Sequence, residues 1–164
     1  MGRFIDAVVQ DPSAAEALLA AHPELRHARW IHEETLPHFL AVEGYSEGVR
    51  WLAAHGFDVN TPNEFGDSAL VDVASVGQGD MVRLLLETGA NPNAASKVHG
   101  TALLAAVNSM SSETVQALVS AGAVRVLDSL HAEFLRFRLQ HEPQHRDALS
   151  RCLQLAFPDV SLAP

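Results

Sequence analysis

The stretch Ser68-Ala69-Leu70-Val71-Asp72-Val73-Ala74-Ser75-Val76-Gly77-Gln78-Gly79-Asp80-Met81-Val82-Arg83-Leu84-Leu85-Leu86-Glu87-Thr88-Gly89-Ala90-Asn91-Pro92-Asn93 decides the fold. Its first part carries the small and apolar residues of a short helix, Gly77 and Gly79 interrupt that helix, and Met81 to Leu86 carry a second one. Gly89 stops the second helix, because glycine takes the left-handed closing conformation without a Cβ penalty. The pattern recurs on both sides. Thr35 and Thr101 stand where Ser68 stands, each 33 residues away; Gly44 stands where Gly77 does, Leu52 and Leu118 where Leu85 does, and Gly56 and Gly122 where Gly89 does. Helices of about ten residues are marginal alone. Stacking on neighbouring units must therefore hold them, and Trp51-Leu52, Leu84-Leu85 and Ala117-Leu118 are the apolar pairs placed to do it.

The period, the glycines and the leucine pairs together resemble the ankyrin repeat, a β-turn plus two helices. Thr35-Leu36-Pro37-His38 is similar to the family's Thr-Pro-Leu-His opening with the middle pair exchanged. His38 is the only match to the family histidine; Val71 and Leu104 replace it in the following units. The resemblance implies an all-α, ankyrin-repeat solenoid of stacked helix-turn-helix units joined by β-turn fingers. On this register the chain, residues 1–164, is one domain: an N-terminal capping repeat 1–34, repeats 35–67, 68–100 and 101–133, and a C-terminal cap 134–164.

Both caps are degenerate, as terminal repeats facing water are expected to be. Phe4, Ile5, Val8 and Val9 recur at helical spacing, Asp11-Pro12 breaks the chain, and Ala14, Ala17, Leu18 and Ala21 continue to Pro23, which stands where the units have their closing glycine. At the other end Asp128 or Ser129 caps a helix whose expected core stripe is Leu130, Phe134, Phe137, Leu135 and Leu139. Ala148, Leu149, Cys152, Leu153, Ala156 and Phe157 form a last helix before Pro158, and residues 159–164 are expected to fray. Cys152, the single cysteine, reads as a buried small hydrophobe.

Composition narrows the function. Eleven Lys+Arg against twenty Asp+Glu, with Lys97 the only lysine, is the wrong balance for a nucleic-acid surface. The imbalance concentrates between residues 33 and 87, where ten acids (Glu33, Glu34, Glu43, Glu47, Asp58, Glu64, Asp67, Asp72, Asp80, Glu87) face two arginines, Arg50 and Arg83. A basic partner follows. No apolar run is long enough for a signal peptide or membrane span, and Asp6 occupies the Ser/Thr position of a myristoylation motif. A cytoplasmic protein, monomeric without its partner, is expected.

One motif invites a catalytic reading. His141-Glu142-Pro143-Gln144-His145 satisfies the His-Glu-x-x-His pattern of zinc hydrolases, whose chemistry needs both histidines on one face of an unbroken helix with the glutamate as base. Pro143 disfavours helix at Glu142, and it lies 33 residues beyond Met110 and 66 beyond Gly77, so the register independently predicts a turn there. Gly77-Gln78-Gly79 follows a helix and lacks the third glycine of a dinucleotide loop. His22, His27 and His32 recur every five residues and share no helix face, and no Gly-x-Ser-x-Gly elbow is present. No catalytic residue, metal or cofactor is expected.

Ankyrin proteins bind through the turn tips and the adjacent surface of each first helix, which line a concave groove. The resemblance therefore implies a protein-binding surface of Ile31, His32, Glu34, Val42 and Glu43, then Glu64, Phe65, Asp67, Ser75 and Val76, then Lys97, Val98, Asn108 and Ser109. Trp30 joins them, standing where the family has a turn-forming aspartate. The expected function is non-enzymatic binding of a basic protein through an acidic and aromatic groove. An immunity or inhibitor protein that neutralises a toxin or nuclease, as some compact bacterial ankyrin proteins look to be, is one alternative, and a scaffold or regulator of a metabolic or redox enzyme is another.

Overall fold

The computed structural model describes residues 2–160, at Ile31 the backbone alone. Ten α-helices follow one another in pairs: α1 (Gly2–Gln10) and α2 (Pro12–Ala21), α3 (Leu36–Val42) and α4 (Ser46–Ala54), α5 (Ala69–Ser75) and α6 (Gly79–Glu87), α7 (Ala102–Asn108) and α8 (Ser112–Ser120), α9 (Ser129–His141) and α10 (Arg146–Ala156). Starts at 36, 69 and 102 for first helices and at 46, 79 and 112 for second helices preserve the 33-residue interval. Many starts are capped by side chains: Asp11, Thr35, Thr101, Ser111 and Asp128 each accept a backbone N–H of the first turn. The extended chain between pairs forms fingers. One carries the two-stranded pairing of β1 (Ala95–Ser96) with β2 (Gly100–Thr101), Ala95 opposite Thr101, and another the single bridge Arg29 to Thr35.

The first helices α3, α5 and α7 lie side by side, and the second helices α4, α6 and α8 do the same. Leu52, Leu85 and Leu118 point between the layers and are fully buried, together with Leu40, Leu70 and Leu103. At the amino end Phe4 stacks on Phe57 and meets the edge of Trp51, each with ring centroids 6.1 Å apart, which closes α1 against α4.

The carboxy-terminal pair differs from expectation. α10 supplies the core contact, packing on both α7 and α8 through the buried Leu149, Cys152, Leu153 and Ala156. In α9 only Leu135 of the expected stripe is buried, and Leu139 is half-buried; Leu130, Phe134 and Phe137 are exposed. The repeat explains this. Phe137 occupies the place of His38, Val71 and Leu104, the face that each unit turns to its successor, and there is no succeeding unit among the described residues. Leu130 and Phe134 precede residue 135, where the register starts a first helix, so they ride on an extension beyond the stacked face. Residues 161–164 of the tail lie outside the described residues.

Candidate functional site

The finger tips are built differently in each unit, and the cause is one side chain. In the second finger Asn63 Oδ1 accepts the N–H groups of Phe65 and Asp67, both at 3.0 Å, and Gly66 takes a φ of 87°. In the third, Ser96 Oγ accepts Val98 N–H at 3.2 Å and His99 N–H at 2.9 Å. Trp30 stands at the same place in the first finger and offers no acceptor. That finger closes instead as a 3-10 turn over Ile31–Glu33, with His32 and Glu33 both at positive φ (58° and 59°). Arg29 then stitches it to its neighbour, its Nη1 donating to Glu33 O at 2.8 Å and to Pro62 O at 2.9 Å.

The tips of the first two fingers form one cluster. Glu64 N–H donates to His32 O at 3.0 Å, the His32 ring hydrogen-bonds the Glu64 carboxylate, and the same ring lies 5.5 Å from that of Phe65. Phe65 is 52% exposed. Trp30, more than a third exposed, leans on Phe39 of α3 with ring centroids 6.4 Å apart. Val42, Val76 and Val98 are exposed, as are Glu43 and Lys97. Glu34, Ser75, Asn108 and Ser109 are half-buried. Three of these are engaged locally: Ser75 and Ser109 donate to the carbonyls of Asp72 and Ala106, and Asn108 accepts from Arg138. The side chain of Ile31 lies outside what is described.

Asp67 is a correction. Read as a rim charge, it is in fact 4% exposed, because the Asn63-closed turn points it inward beneath the finger. There its carboxylate meets two residues that sequence spacing had not singled out as a site, Asp72 of α5 and His99 of the third finger. One ligating atom from each of the three lies within 4.8 Å of the others. Asp72 is held from the other side by His38, whose Nε2 donates to Oδ2 at 2.7 Å. The signal that could have found this group is the register: Asp67 and His99 flank the same finger-to-finger step, one residue short of 33 apart.

Electrostatics sort the ten acids of residues 33–87. Arg50 lies beside Glu47 and Glu87, at 3.8 and 3.5 Å, and Arg83 pairs with Asp80 and with Glu113, all on second helices. Asp58 accepts Asn60 N–H, which with the Thr61 hydroxyl holds its carboxyl below the usual range. Asp67 and Asp72 turn inward. The acids at the finger and first-helix edge are thus Glu33, Glu34, Glu43 and Glu64.

The His-Glu-x-x-His segment is broken as expected: α9 ends at His141, a 3-10 turn covers Pro143–His145, and α10 starts at Arg146. His141 stacks on Phe137 at 4.1 Å and bonds its own helix at Phe137 O. Glu142 is taken by Arg138, Nη2 to Oε2 at 2.9 Å, and by His145 at 3.1 Å. These bonds, the guanidinium's first, hold the Glu142 carboxyl below its ordinary range, the reverse of what a general base near neutrality needs. Cys152 is fully buried, and burial pushes its thiol up. No described helix is long and apolar enough to cross a membrane.

A family model described as ankyrin repeats (three copies) matches residues 5–96 and 38–128. No curated protein sequence matches. Among solved structures, the crystal structure of an ankyrin repeat domain from Acinetobacter baumannii is similar over 87% of this chain and 74% of that one, with 25% identity and a TM-score of 0.66. Helix pairs at a 33-residue interval, finger turns between them and a family match covering most of the chain agree: the chain belongs to the ankyrin-repeat family, whose repeats are generally protein–protein interaction modules.

Proposed function

We propose that this chain is a non-enzymatic module that binds a basic protein on the surface made by its first two finger tips and the exposed edges of α3 and α5. The observation that carries this reading is Phe65, a half-exposed aromatic at a finger tip, set against His32 and beside Glu64. Loop tips are normally polar, and an aromatic with a polar rim is the usual anchor of a protein interface. Val42 and Val76 are exposed apolar residues at the ends of α3 and α5, and Glu43 and Glu64 supply negative charge that steers a cationic partner. The charge balance of the whole chain, −9, favours the same class of partner.

The test is affinity capture from native cell extract with wild-type and Phe65→Ala baits in parallel, read by mass spectrometry and followed by titration of the purified partner. A basic protein retained by wild type and lost with Phe65→Ala is expected. An identical partner set on both baits would overturn this surface as the binding site.

A further inference from the structure

Asp67 presents a problem of charge: its carboxylate is buried, Oδ1 makes no hydrogen bond, and the Asp72 carboxylate lies within the same few ångströms. Among the described residues neither carboxylate pairs with lysine or arginine; the one basic contact is His38 on Asp72. An unpartnered buried anion beside a second one is costly, and something must supply positive charge. The imidazole of His99 completes the group from the opposite finger.

We propose that Asp67, Asp72 and His99 bind one divalent transition-metal ion, with Zn²⁺ or Mn²⁺ as the fitting probes. Two carboxylates and an imidazole are the donor mixture these ions take, and three protein donors leave coordination positions to water. Bond lengths of about 2.0–2.2 Å would require the donor atoms, which lie within 4.8 Å of one another, to close to about 3.5 Å. The surroundings are arranged as a second layer. His38 fixes Asp72 through one oxygen and leaves the carboxylate lone pairs for an ion, Asn63 holds the backbone N–H of Asp67, and Ser96 holds that of His99. Because the donors come from the second finger, α5 and the third finger, a bound ion would tie two adjacent fingers together. This site shares no residue with the His141/His145 segment, and Asp67 lies beneath the same finger whose tip carries Phe65.

The experiment uses the full, untagged chain stripped with chelator, titrated with Zn²⁺ and with Mn²⁺ while binding and thermal melting are followed. About one equivalent of Zn²⁺ bound at micromolar or tighter dissociation constant, with a raised melting temperature, is expected. Asp67→Asn and His99→Gln should each weaken binding by about tenfold or more, whereas a His141→Ala/His145→Ala double variant should bind as wild type does. Independently of any variant, substoichiometric Mn²⁺ should selectively broaden the NMR signals of Asp67, Asp72 and His99 in the wild-type protein. Absence of saturable binding overturns the proposal. So does binding that survives both single variants, or broadening centred elsewhere.

Discussion

His38 Nε2 donates to Asp72 Oδ2 at 2.7 Å across the step from α3 to α5, joining a fully buried imidazole to a carboxylate one-quarter exposed. The two units that follow have Val71 and Leu104 at the His38 position and need no such partner. Asp72→Ala therefore strands a buried ring and should cost on the order of 1–3 kcal/mol in chemical denaturation, measured with chelator present so that metal plays no part. The double variant His38→Val/Asp72→Ala should lose clearly less than the sum of the single losses, since it removes both polar partners. Additive losses would mean that the pair does not couple the two helices.

Much of this molecule was legible because one residue type recurs at one place in each unit. Leu52, Leu85 and Leu118 report the packed layer, and Gly56, Gly89 and Gly122 report where second helices end, with φ of 79°, 99° and 84°. What a period does not contain is which side chains reach from one unit to the next. Arg29 to Pro62, His38 to Asp72, Asp67 to His99 and Arg138 to Asn108 all bridge about one repeat length, and each depends on side-chain length and direction. Asp67 shows the consequence: its position along the repeat is that of a rim residue, yet the turn closed by Asn63 aims its short side chain inward. At the carboxy end the periodic stripe of α9 was visible, but whether another described helix covers Phe137 belongs to the assembly of helices and not to α9 itself, and among the described residues Phe137 is exposed.

Leu85 sits in the central pair with no exposed surface. Leu85→Ala should destabilise by about 2–5 kcal/mol, the usual cost of a leucine-sized cavity. Because the neighbouring helices lean on this layer, urea denaturation followed by far-UV circular dichroism should show the midpoint of the whole transition moving, not a separate early phase.

Gly77 and Gly89 both have positive φ, 74° and 99°, but only Gly77 is crowded: a Cβ there would stand 3.0 Å from Ser111 Cβ and 3.3 Å from Ser109 Oγ. The left-handed conformation alone costs an alanine about 1–2 kcal/mol. Gly77→Ala should consequently lose more stability than Gly89→Ala, and equal losses in denaturant titrations would show that the α5–α6 turn yields freely. Met110, in the equivalent turn of the next pair, takes a φ of 60° and bears that conformational cost in the native chain.

The Arg138–Glu142–His145 group gives a pH dependence with a defined sign. Glu142 is held below its ordinary carboxylate range, so it contributes stability above the unfolded carboxyl pKa and loses it as pH falls through its depressed folded value. Glu142→Gln should melt below wild type at neutral pH, and the gap should close below about pH 4. A gap that stayed constant down to strongly acid solution would assign the effect to shape and not to charge.

Phe65 and the acids around it should separate holding from steering in the proposed complex. The ring is half-exposed at a finger tip and rests on the His32 ring at 5.5 Å, so truncation removes little from the stacked core and leaves melting nearly unchanged. As an interface anchor its loss should weaken partner binding by about 2 kcal/mol or more, chiefly through faster dissociation. Glu43→Gln/Glu64→Gln should act differently. Rim charges accelerate encounter more than they hold a complex, so the double variant should slow association and flatten its dependence on salt while dissociation changes little. Asp67 is left out of this pair because it is buried beneath the finger. Stopped-flow association at low and high salt, paired with melts of each variant, distinguishes the outcomes. A large fall in melting temperature for Phe65→Ala would return that ring to a packing role between fingers, and unchanged kinetics for both variants would move the interface away from these tips.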